Sequence, residues 1–156
     1  MKTLIFISFF MTSPTFAANL FAPYYGKYKI AEISCTFNGE KMAECNKWKQ
    51  VELKADPLNE EYVCVLMKSS NSTSSDCYRE ESIISQEMER ISTFINIPNG
   101  VRFERNIRMN FLEKKYTMEF IQSGSEFTFT RNDQTHFPTT GQDVHGEMHM
   151  RLRPIH

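Results

Sequence analysis

Beyond its first eleven residues this chain has no long apolar run. The one run it does have, residues 4–11, is far shorter than the roughly 18–20 residues that a membrane-spanning helix needs. Close Cys-x-x-Cys pairs of the kind that zinc sites and redox motifs use are also missing, as are a Gly-x-Ser-x-Gly elbow and a glycine-rich phosphate loop. Charge of one sign is lacking too: 18 Lys and Arg stand against 19 Asp and Glu, a net charge of −1. Such a balance offers no field to nucleic acid or to an anionic membrane surface. These absences leave no membrane-spanning helix, no nucleic-acid partner, no cofactor and no named catalytic residue. The chain therefore reads as a non-enzymatic domain, although a triad set by geometry alone would leave no sequence motif.

What is present at the start is a charged residue, Lys2, then the short apolar run, then Ser13-Pro14 and the small-residue exit Thr15-Phe16-Ala17. This is the pattern of a secretory signal peptide over residues 1–17, with cleavage after Ala17. Residues 18–156 then form a single domain with one core, soluble and exported to a periplasm or to the medium. The four cysteines, Cys35, Cys45, Cys64 and Cys77, all lie in the first half of that domain. An even count in an exported chain favours disulfides over metal ligands. The Asn38-Gly39 turn separates Cys35 from Cys45, and a polar stretch, residues 69–76, separates Cys64 from Cys77. The sequence-local pairs are therefore expected, the competitor being the crossed pairing of Cys35 with Cys64 and Cys45 with Cys77.

Turn signals punctuate the rest: Asn38-Gly39, Asp56-Pro57, residues 69–76, Pro98-Asn99-Gly100 and Ser123-Gly124-Ser125. Between them the pattern has period two. Val101, Phe103, Arg105, Ile107, Met109 and Phe111 alternate with Arg102, Glu104, Asn106, Arg108 and Asn110, as in a strand with one face in a core. Tyr116, Met118 and Phe120 repeat the pattern, followed by Phe127 and Phe129 and, more briefly, by Met148, Met150 and Leu152 before Pro154. Residues 27–35, 46–54 and 62–68 are further strands. The β-branched residues 91–97 make another, while 78–88 stay open between a strand and a turn or two of helix. Short connections require antiparallel neighbours. The expected fold is mainly β: an up-and-down meander closing into a small barrel of about eight strands, with at most one short helix after the signal peptide.

An exported chain whose first strand opens Gly26-Lys27-Tyr28 and continues as a β-meander resembles the lipocalin-like (calycin) barrels, whose first strand carries Gly-x-Trp. Tyr28 stands where that family has Trp, and the chain ends in a strand where many members add a helix. The resemblance implies a barrel that binds a small apolar molecule, and an Arg late in the barrel, Arg131 or Arg151, packed across the first-strand aromatic.

Arg105 interrupts an otherwise apolar row, and a guanidinium cannot shed its charge to enter a core. Either a bulge or a Glu partner accommodates it, or it is the polar anchor of an apolar cavity. Trp48, Phe103, Met109, Tyr116, Met118, Phe120, Phe127 and Phe129 read first as plain core and otherwise as the wall of such a cavity. Together with Arg105 they form the candidate binding set for a small hydrophobic or amphipathic ligand. If the interior is solid, the same chain reads as a protein-interaction module. His145, Glu147 and His149 would share one face of an extended segment and are the candidate metal ligands of a third, enzymatic reading.

Overall fold

The computed structural model describes residues 20–155. The signal-peptide reading of residues 1–17 lies outside the described residues. Eleven strands are described: β1 (Gly26–Phe37), β2 (Glu40–Lys41), β3 (Gln50–Ala55), β4 (Val63–Lys68), β5 (Thr73–Tyr78), β6 (Glu81–Ile84), β7 (Met88–Ile97), β8 (Gly100–Met109), β9 (Leu112–Ser123), β10 (Glu126–Phe137) and β11 (Gln142–Pro154). Short 3-10 turns are described at Ala22–Tyr24 and Ala43–Lys47. No helix in the described residues is long and apolar enough to cross a membrane.

All pairings are antiparallel, in the order β5-β4-β3-β1-β11-β10-β9-β8-β7-β6, with β2 paired to β1. The meander is the one the alternation implies, but the expected count of about eight strands becomes eleven, and hydrogen bonds do not close the sheet. The two edges are β5 and β6, which are consecutive in the chain and separated only by Arg79 and Glu80. Two residues thus carry the backbone from one edge of the sheet to the other, so the sheet must curl until its edges meet. At this seam a side chain replaces a strand ladder: the Phe94 amide of β7 donates to Glu80 Oε1 at 3.1 Å.

The extra strands have physical reasons. Residues 73–76, Thr-Ser-Ser-Asp, read as loop because they lack apolar residues. They nonetheless pair with β4 as an edge strand, where one face and one backbone edge stay in water and polar side chains cost little. The Cys64–Cys77 disulfide, between directly opposed residues with Cα atoms 4.1 Å apart, staples that edge. Cys35 bonds Cys45 across 6.2 Å between Cα atoms, so both bridges are the sequence-local ones. The open segment 78–88 resolves into β6, and the last strand runs from Gln142, well before Met148.

Several turns behave as their residues require. Asn38 and Gly39 both have positive φ, 49° and 82°, the conformation of a two-residue hairpin turn that twists with its strands. Gly124, with φ 63°, turns β9 into β10. The core is one cluster of inward-facing residues from every long strand, closed at its base by Phe21, which is fully buried and meets Phe94 edge-on at 5.4 Å. Tyr28, on the first strand, packs against Phe120 and Phe127, and its hydroxyl donates to the Tyr24 carbonyl at 2.6 Å.

Gly100 is a close-approach glycine: a Cβ there would lie 2.2 Å from the Phe120 carbonyl oxygen and 2.9 Å from Ile121 Cα, both backbone atoms that cannot swing aside. Gly146, by contrast, has nothing nearer than 4.0 Å to such a Cβ. Gly100→Ala is therefore expected to destabilise the fold by about 1–3 kcal/mol or more. Gly146→Ala is expected to be neutral, or stabilising by up to about 1 kcal/mol through relief of chain entropy. Paired urea melts check both, and equal midpoints would contradict this packing.

Candidate functional site

Along the long strands the inward face changes character partway up. Counting toward one end of the sheet, β10 presents Phe127, Phe129, Arg131, Asp133 and Thr135, while β9 presents Phe120, Met118, Tyr116 and Lys114 opposite them. The lower members are sealed: Phe103, Met118 and Phe120 are fully buried and Phe129 nearly so. At the change of level the Tyr78 hydroxyl from β5 meets the Tyr116 hydroxyl from β9 at 2.6 Å, with the two rings stacked at 5.6 Å. Burial pushes the pKa of both phenols above that of an exposed tyrosine. Arg131 lies over the Tyr116 ring at 5.0 Å and reaches Asp76 of β5 at 3.2 Å. A cation on a ring face and a carboxylate partner together hold this guanidinium above the core.

Arg105 sits in the same layer. The β7–β8 and β8–β9 registers run without a bulge, so its Cβ points inward with Phe103 and Ile107. Its Nε donates to Ser92 Oγ at 2.9 Å and its guanidinium lies 5.3 Å from the Phe103 ring centroid. Ser92 is itself buried. Among the described residues Arg105 has no carboxylate partner, so neither a bulge nor a Glu pair accounts for its place.

Above the tyrosine pair, β9, β10 and β11 extend beyond the reach of β3–β5, and β3 parts from β1 after the Lys29–Gln50 pair. The chain between β2 and β3 fills part of the opening with its 3-10 turn, tied down by the Cys35–Cys45 bridge. What remains is an open groove of about 470 Å³, in the size range of small-molecule sites. Its walls carry Phe37, Met42, Trp48 and Met148, and its floor carries Lys114, Arg131 and Asp133. Phe37 and Met42 are 48 % and 42 % exposed, unusual for large apolar side chains. The floor charges are paired: Lys114 Nζ is 2.9 Å from Asp133 Oδ2. Lys47 Nζ sits 4.9 Å from the Trp48 ring centroid at the rim.

Of the candidate binding set, Trp48 alone lines this groove. Phe103, Tyr116, Met118, Phe120 and Phe129 are in the packed core, Phe127 stacks on Phe120 at 5.1 Å, and Met109 is half-buried at the end of β8. Phe37 and Met42 carry no periodic signal, because a hairpin and a disulfide bring them together. Lys114 and Asp133 read as surface charges until the register turns them inward. Arg131 meets Tyr116, not Tyr28, and Arg151 pairs with Glu32 and Glu126. His145, Glu147 and His149 do share the outer face of β11, but the three do not converge. The trio of potential ligands within coordinating distance among the described residues is Asp56, Cys64 and Cys77, two of which are bonded to each other.

The tyrosine pair sets an alkaline limit. A phenol pKa raised by folding contributes stability that is fully present below the unfolded value, near pH 10, and is lost as pH rises beyond it. Tyr78 and Tyr116 are expected to ionise only as the protein unfolds, seen as tyrosinate absorbance rising together with loss of near-ultraviolet dichroism. Tyr78→Phe leaves the Tyr116 hydroxyl without its partner and is expected to cost about 1–3 kcal/mol. Comparison of the chain with protein-family models and with curated proteins finds no significant match to either.

Proposed function

We propose that this is an exported, non-enzymatic binding domain that holds a small amphipathic molecule in the groove above the tyrosine pair. The observation that carries the reading is the opposition of half-exposed Phe37 and Met42 and partly buried Trp48 to a floor of charged side chains, Lys114, Asp133 and Arg131. Such a wall gains by covering its apolar surface, at about 25 cal/mol per Å² buried, while the floor orients a polar end. The reading keeps the ligand of the lipocalin-like resemblance and moves its seat from the filled interior to the mouth. Two disulfides support an oxidising, exported setting, periplasmic or extracellular. A second reading, a protein-interaction module, is favoured by the edge strands β5 and β6, each with one side unpaired in the sheet order.

The chain has a single tryptophan, and it lines the groove, so its emission reports occupancy directly. Titration with a fluorescent amphipathic anion, anilinonaphthalene sulfonate, is expected to quench Trp48 by energy transfer. Met42→Glu is expected to weaken binding about tenfold, roughly 1.4 kcal/mol, with the melting temperature unchanged. Unaltered Trp48 emission, or equal affinity in the variant, would overturn the groove reading and leave the edge strands as the contact surface.

A further inference from the structure

A second groove, of about 540 Å³, lies on the opposite face of the strand ends that form the mouth. Its lining includes Gln134, His136, Asp143 and His145, which alternate with the inward residues Asp133, Thr135, Val144 and Gly146. The β10–β11 register sets His136 directly opposite Asp143 and Gln134 directly opposite His145. The two histidines are thus diagonal neighbours on one face, with Cβ atoms about 7–8 Å apart or somewhat less.

Each ring has one nitrogen facing a carboxylate. His136 Nδ1 is 2.7 Å from Asp143 Oδ1. His145 Nε2 is shielded from solvent and stands 3.4 Å from Glu147 Oε1, too far for a strong hydrogen bond but close enough for electrostatic orientation. The other nitrogens, His136 Nε2 and His145 Nδ1, are left for another partner. A carboxylate behind an imidazole is the arrangement that orients the ring of a metal-ligating histidine. The backbone under His145 is held on both sides: its amide donates to Asn38 Oδ1 at 2.8 Å and its carbonyl accepts from the Asn38 amide at 2.7 Å.

We propose that His136 and His145 form a binding site for a divalent transition-metal ion of the zinc type, with Asp143 and Glu147 as the orienting carboxylates. The diagonal spacing suits two ring nitrogens that each approach an ion to about 2.0–2.1 Å. Water completes the coordination, since both side chains are half-exposed at the groove. His149 lies one step further along β11, opposite Thr130, and takes no part.

Zinc ion alone, titrated calorimetrically into tag-free mature protein, tests the site. The expected result is one ion per chain, with affinity reduced about tenfold or more in His136→Ala, in His145→Ala and in Asp143→Asn, and unchanged in His149→Ala. Circular dichroism of each variant establishes that it is folded. Absence of zinc binding by the unaltered protein overturns the proposal. So does an affinity equal to that of the unaltered protein in folded His136→Ala or His145→Ala, or loss of binding in His149→Ala.

Discussion

The hydrogen bond between Tyr78 and Tyr116 joins strands from opposite walls of the curled sheet, β5 and β9, and marks the level at which the molecule stops being solid. Two hydroxyls in an apolar interior must satisfy each other, because a buried donor or acceptor left alone costs about 1–3 kcal/mol. Here each is the other's partner, and the rings below them seal the core against Phe103. The charged side chains that face inward from β8, β9 and β10, Arg105, Lys114, Arg131 and Asp133, lie at this level or above it. The tyrosine pair therefore acts as a ceiling to the core and as a base for the mouth.

That ceiling depends on a sheet held shut without a continuous ladder. The chain crosses from β5 to β6 through Arg79 and Glu80, so the edges meet by covalent connection, and the Cys64–Cys77 bridge keeps β5 on β4 at the point where Tyr78 must reach inward. Constraining the loop between Cys64 and Cys77 contributes about 3 kcal/mol in a chain-entropy model, comparable to burying one large apolar side chain. The second bridge works at the other wall, fixing the 3-10 turn that sets Trp48 and Met42 beside β1. Both disulfides thus serve the groove as well as the fold.

The parts of this architecture that repeat were legible in the sequence. Alternation along residues 101–129 placed β8, β9 and β10 and the buried Val101, Phe103, Tyr116, Met118, Phe120 and Phe129, whereas Phe111, read into the same row, lies beyond the end of β8 and is 60 % exposed; the turn at Asn38-Gly39 together with cysteine spacing pointed to both bridges. The polar edge strand β5 was not legible, because Thr73 to Asp76 carry no apolar period, and edge position makes such a period unnecessary. Arg105 announced a polar interior without revealing where that interior lay. The groove itself escaped sequence reading: its walls come from a hairpin tip and a 3-10 turn, and its floor from charges that only the strand register turns inward. The histidine pair 136/145 was hidden for a related reason, since its members sit on neighbouring strands and meet only through pairing.

The central claim is that the mouth above the tyrosine pair is a binding site for a small molecule while the interior below it is closed. Native mass spectrometry of the protein purified undenatured from its source tests this most directly. The account predicts a population heavier than the disulfide-bonded chain by one small organic molecule, released on gentle activation and absent when Phe37 is replaced by Asp. A bare chain mass in the undenatured protein, or a bound molecule retained undiminished by Phe37→Asp, would contradict it.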